Sequence, residues 1–102
     1  MKTPLQRLGE WYSNQCNGEW EHSWGFKITT VDNPGVAVVI NLANTPLAGV
    51  PFPEFRDKYE SLAEWMLCRR VGDQFEGLGT AVRLEDIILQ FLAWSDRHPL
   101  PH

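Results

Sequence analysis

Hydrophobic positions recur along this chain in two different periods. Leu5, Leu8, Trp11, Tyr12 and Cys16 fall at helical spacing. The residues before them read as a helix start: Thr3 can cap, Pro4 suits the first helical position, and Gln6 can close a capping box on Thr3. Gly9 lies inside this helix and costs about 1 kcal/mol against Ala, so the helix needs tertiary support. Asn17-Gly18 supplies the stop, with Gly18 able to turn left-handed. The period then becomes two. Trp24, Phe26, Ile28 and Thr30 alternate with Gly25, Lys27, Thr29 and Val31, and Val36, Val38, Ile40 and Leu42 alternate with Ala37, Val39 and Asn41. Alternation with β-branched and aromatic residues predicts two strands, joined by the turn sequence Asp32-Asn33-Pro34-Gly35. The second is apolar on almost both faces, which places it inside a sheet.

From Ala43 to Ser61 the pattern breaks at Pro46, Gly49, Pro51 and Pro53, while Phe52 and Phe55 offer anchors to a core. Val50 to Phe55 suits a short edge strand, where proline is tolerated, and Asp57 to Ser61 suits one helical turn. Trp65 to Val71 reads as a strand, Gly72-Asp73 as a two-residue hairpin turn and Gln74 to Leu78 as its partner, with Gly77 and Gly79 ending the apolar pattern. Leu84, Ile87, Ile88, Phe91, Leu92 and Ser95 form the stripe of a last helix from about Leu84 to Arg97, flanked by Trp94. Glu85 and Asp86 in its first turn and Arg97 and His98 at its end suit the helix dipole, and Pro99 stops it. This order predicts a single α+β domain over residues 1–102: an antiparallel β-sheet of four to five strands, with an N-terminal and a C-terminal helix packed on one face. Trp11, Trp24, Trp65, Phe91 and Leu92 are the expected core.

A chain of 102 residues can bury a real, if marginal, core. Its net charge of −4 disfavours nucleic acid or an anionic membrane as partner and favours a basic protein. No apolar run approaches the ~20 residues that span a bilayer, and no signal-peptide pattern opens the chain, so a cytoplasmic location is expected. In that setting Cys16 and Cys68 are expected to be free thiols.

Candidate chemistry concentrates between the first helix and the first strand. From Leu8 to Phe26 there is no Lys or Arg, while Glu10, Glu19 and Glu21 all fall there. Glu19 and Glu21 flank Trp20, and in an extended segment the two carboxylates would point the same way, with Trp20 opposite. Trp20 is open to two readings, a core plug or an exposed anchor. A nucleophilic cysteine needs a base and a lowered thiol pKa. Cys16 has His22 six residues on, and Cys68 lies beside Arg69 and Arg70, yet free cysteine is among the most buried residue types. A metal site would have to be drawn from Cys16, His22 and Cys68, or from His98 and His102, with none of the spacing typical of zinc. The expectation is no metal, no cofactor and no catalytic residue.

The run Trp11-Tyr12 … Cys16-Asn17-Gly18-Glu19-Trp20-Glu21-His22-Ser23-Trp24-Gly25 resembles the signature of the immunity protein 53 family of bacterial polymorphic toxin systems. Further points of resemblance are the Asp32-Asn33-Pro34-Gly35 turn, Trp65 … Cys68-Arg69, Phe75-Glu76-Gly77 and Phe91-Leu92 … Trp94. Asn17 and Glu19 stand where Asp is usual in that signature, and Trp24 where Tyr is common. The resemblance implies a small cytoplasmic protein that binds and blocks a cognate toxin, often a basic nuclease, with no catalysis of its own. Cys16, Gly18, His22, Trp24 and Gly25 are then expected to be structural, and Glu10, Glu19, Trp20 and Glu21 to face the toxin. The alternative is a small thiol-dependent, sulfurtransferase-like enzyme using Cys16 or Cys68.

Overall fold

The computed structural model describes residues 1–32 and 34–98. Helix α1 (Pro4–Gln15) begins as its sequence predicts: Thr3 Oγ1 accepts from Gln6 N at 3.1 Å and Gln6 Oε1 accepts from Thr3 N at 2.8 Å. A four-residue helix, α2 (Trp20–Ser23), follows, so the condition of an extended segment, under which Glu19 and Glu21 would point the same way, is not met. The sheet is made of β1 (Phe26–Val31), β2 (Gly35–Asn41), β3 (Phe55–Asp57), β4 (Met66–Val71) and β5 (Gln74–Gly79). A 3-10 turn at Ala81–Arg83 leads into α3 (Leu84–Asp96).

All neighbouring strands are antiparallel, in the order β1-β2-β5-β4-β3. The register places Phe26 opposite Ile40 and Ile40 opposite Phe75, so these three share a face. Tyr12 of α1 meets Phe26 with ring centroids 5.6 Å apart, and Phe91 of α3 meets Phe75 at 5.2 Å. Both helices therefore cover one face of the sheet, and Trp11 joins them by packing edge-on to Phe91 at 5.0 Å. Leu8, Val38, Ile40, Phe75, Ile87 and Phe91 are fully buried in this layer. Gly77 and Gly79 do not merely end a pattern. They lie on the covered face of β5, opposite Val38 and Val36, where α3 comes close.

Residues 42–54 complete the layer as a loop pinned at several points. Leu42 and Leu47 are fully buried, and Phe52 packs edge-on to both Phe75 and Trp94. Arg70 of β4 holds the loop by donating from Nη1 to the carbonyls of Leu47 and Val50 at 2.8 and 2.9 Å. Three expectations need correction. The edge strand is β3, starting at Phe55 rather than Val50, because two prolines precede it. Lys58 to Ser61 forms a turn closed by Ser61 N donating to Lys58 O, not a helical turn. Finally, Trp24 lies before β1 and is exposed, and Trp65 is half-buried against Tyr59. Both fall just outside the hydrogen-bonded strands, so the alternation does not carry them into the core.

Candidate functional site

The connector from Cys16 to Gly25 is built on backbone hydrogen bonds that its own side chains complete. Gly18 takes a φ of 94°, which reverses the chain after α1. The Glu21 carboxylate reaches back and accepts from Asn17 N and Gly18 N, both at 2.9 Å. Asn17 Oδ1 reaches forward and accepts from Glu19 N and Trp20 N, also at 2.9 Å. The free amides leading into α2 are thus satisfied reciprocally. Glu21 is held below its ordinary value of 4.5, first by its own backbone N–H and, with help from those of Asn17 and Gly18, against the opposing effect of desolvation.

Trp20 resolves into the core plug. It is 4% exposed, packs edge-on to Trp11 at 6.2 Å and donates from Nε1 to the Ala43 carbonyl at 2.8 Å. The helical turn of α2 swings it inward, whereas Trp24 stays 38% exposed. Gly25 ties the connector to the sheet, donating N–H to Asn41 Oδ1 while its carbonyl accepts from Asn41 N, both at 2.9 Å. His22 is exposed on α2, and Cys16 Sγ donates to the Tyr12 carbonyl at 3.4 Å.

The acids part company. Glu21 is committed to the connector. Glu10 is exposed on α1 and ion-paired with Lys2. It borders a hollow of ≈ 310 Å³ between α1 and the end of α3, closed on one side by Pro46. Glu19 borders a second hollow of ≈ 370 Å³, lined by Asn17, Glu19, Trp20, Ser23, Trp24 and Asn44. Asn44 lines this second hollow and Pro46 the first, so the short segment Asn44–Pro46 borders both. Among the described residues, the Glu19 side chain makes no hydrogen bond or ion pair within the limits of those found elsewhere. Asn44 adopts a φ of 61°, a left-handed conformation that a non-glycine residue rarely takes.

The chain matches the family model described as immunity protein 53 over residues 5–96. It belongs to the immunity protein 53 family. No curated protein and no solved structure matches it. Membership supports an immunity role, implies a toxin partner and suggests a protein without catalysis.

The Cys68 thiol offers little to nucleophilic chemistry. Cys68 lies on the covered face of β4 with no exposure, and burial pushes its thiol up to about 12, with Arg83 opposing only weakly. A thiol so raised is protonated at neutral pH and a poor nucleophile. Among the described residues, no group of three or more His, Cys, Asp and Glu could hold a metal ion. The expectation for His102 lies outside the described residues. No helix among those residues is long and apolar enough to cross a membrane.

Sequence reasoning missed the exposed Trp24 and the contribution of Asn44. A signal for the first existed: Gly25, next to Trp24, marks where the backbone must approach Asn41, so β1 begins after it. Asn44 carried no such mark, because its conformation follows from the turn closed by Thr45 N on the Leu42 carbonyl.

Proposed function

We propose that the protein neutralises a cognate bacterial toxin domain by binding it in the cytoplasm, with no chemistry of its own, and that the partner is basic. Family membership over residues 5–96 is the observation that carries this reading. The distribution of charge supports the basic partner. The chain carries −4 overall, and the connector side presents Glu10 and Glu19 with no base between Leu8 and Phe26. Complementary potentials of this kind raise the association rate and make it salt-sensitive.

The toxin-facing surface in this reading runs across the two hollows beside Asn44–Pro46. Glu19 supplies an acid that no base of the described residues pairs, Glu10 one paired with Lys2 beside the Arg7–Asp96 ion pair, Trp24 supplies the exposed aromatic, and Trp20 and Glu21 support the surface from beneath. Because Glu21 caps the connector, charge reversal there would confuse binding with folding. The test is a Glu10→Lys, Glu19→Lys double variant, compared with wild type for melting and for protection of cells that produce the cognate toxin. The expected result is unchanged melting with association slowed at least tenfold at low salt and protection lost. A folded double variant that associates and protects as wild type does would move the binding face elsewhere.

A further inference from the structure

We infer that the hollow lined by Glu19, Trp24 and Asn44 is a socket for one cationic side chain of the partner, specifically an arginine guanidinium. The inference rests on the toxin-binding reading and names what that surface recognises. Three features of the hollow carry it. Its single formal charge is the Glu19 carboxylate, which no basic residue of the chain neutralises among the described residues. Beside that carboxylate is an indole, Trp24, left 38% exposed in a chain that buries Trp11, Trp20 and Trp94. The remaining wall is polar, formed by Ser23, Asn17 and Asn44.

Other occupants fit worse. An anion would be repelled by the Glu19 carboxylate, and the backbone amides Glu19 N and Trp20 N are already taken by Asn17 Oδ1. An apolar side chain would be set against amides and a carboxylate that it could not satisfy. A metal ion would find one carboxylate where hard cations take six or more oxygen ligands. A cation meets both an acid and a π-face, and cation–π contact adds to the ion pair when the site is desolvated. Guanidinium fits better than ammonium: it is planar, stacks on an indole and still directs N–H groups at a carboxylate and amide oxygens in its own plane. Arginine is among the residue types enriched at the desolvated hot spots of protein interfaces.

The socket is testable without the toxin. N-acetyl-L-arginine amide titrated into the wild-type protein should shift the Trp24 indole N–H resonance and the amides of 17–24 saturably, in the millimolar range expected of a fragment. The neutral citrulline analogue should not, and neither should the arginine compound with Glu19→Gln or Trp24→Ala. An equal response to the citrulline analogue, or an undiminished response in Glu19→Gln, overturns the socket. Against the cognate toxin, Glu19→Gln and Trp24→Ala should each weaken binding by tenfold or more, mainly through faster dissociation. Glu19→Gln should melt like wild type, since that side chain is exposed and unpaired, and for Trp24→Ala, whose indole is 38% exposed, the loss of binding should exceed any change in melting. Variants that bind as tightly as wild type also overturn the socket. If wild type does not bind its toxin, the toxin-binding reading fails, and the arginine titration still decides the socket on its own terms.

Discussion

Replacing Gly77 with alanine should be one of the most damaging single-methyl additions available in this fold. A Cβ built at Gly77 would lie 2.2 Å from Ile87 Cγ2 and 3.3 Å from Phe75 Cε2, well inside van der Waals contact. Ile87 is fully buried on α3, and a β-branched side chain in a helix is nearly confined to one rotamer, so it cannot swing away. The strain must move α3 or the strand. Overpacking of a tight core costs about 1–3 kcal/mol. The stiffness of both neighbours argues for the upper part of that range, even after the roughly 0.5–1 kcal/mol that alanine gains over glycine in a strand. A loss of about 2 kcal/mol in a domain of this size lowers Tm by roughly 8–16 °C.

The decisive measurement is a double-mutant cycle by urea unfolding. Ile87→Ala alone opens a cavity and should cost about 2–5 kcal/mol. In Gly77→Ala, Ile87→Ala the clashing methyl is gone and the new one occupies part of the space. The double variant should therefore be more stable than the sum of the singles by at least about 1 kcal/mol, the scale on which contacting residues couple. Gly79→Ala is the comparison: its closest clash would be with the Trp65 carbonyl at 2.8 Å, a backbone atom that truncation at Ile87 leaves in place, while Ile87 Cδ1 at 3.4 Å is only in ordinary contact, so its coupling to Ile87→Ala should be much smaller. Additive singles at Gly77 and Ile87, or a Gly77→Ala cost below about 0.5 kcal/mol, would refute the idea that glycine here sets the distance between helix and sheet.

Phe91→Ala should cost about 3–5 kcal/mol in denaturant melts, since the ring is fully buried among Trp11, Phe75 and Trp94; a loss under about 1 kcal/mol would contradict that packing. Cys68 should react with a thiol reagent at neutral pH only as fast as the protein unfolds, and rapid stoichiometric labelling in native buffer would revive the thiol-enzyme alternative. Its folded value of about 12 lies above the ordinary 9.0, so its contribution to stability is complete below pH 9 and is lost as pH rises toward 12; melts of Cys68→Ala against wild type should converge over that window. Glu21 has the opposite sign: its depressed value means a contribution present above pH 4.5 and lost as pH falls through the folded value. The stability gap between wild type and Glu21→Gln should shrink in acid, and a gap constant from pH 7 to 3 would show that its carboxylate does not hold Asn17 and Gly18.

Local rules made most of the scaffold legible. The capping box on α1, both hairpins and the stripe of α3 are short-range patterns whose structural meaning needs no knowledge of the rest of the chain. What escaped depends on long-range fit. Gly77 looked like punctuation because the reason for it, Ile87, lies ten residues away on another element. In the sequence Arg70 is only a neighbour of Cys68, yet it holds two loop carbonyls, and backbone acceptors leave no trace in composition. The exchange of roles between Trp20 and Trp24 has a sharper cause. A period of two assigns alternate residues to opposite faces, and four residues of helix are enough to cancel that assignment. The same turn of helix separated Glu21 from Glu19, so carboxylates that looked paired in sequence do different work.

That separation bears on how recognition could be adjusted in such a fold. Asn17, Glu21, Trp20 and Gly25 brace the connector through bonds to backbone and through a buried indole, and each is constrained by geometry. Glu19, Ser23 and Trp24 stand between them in sequence but are exposed, and none donates or accepts a side-chain hydrogen bond among the described residues. The brace fixes where the rim stands without dictating what the rim carries. Substitution at Glu21 should therefore register first in stability, and in binding only through loss of the folded connector. Substitution at Glu19 or Trp24 should register mainly in binding. Asn17, which braces the connector and also lines the hollow, should register in both. A series at Glu21, Glu19 and Trp24, read for melting and for toxin affinity together, should fall on two separate lines. A single line, with affinity tracking stability at all three, would mean that brace and rim are one structure and that the socket has no independent existence.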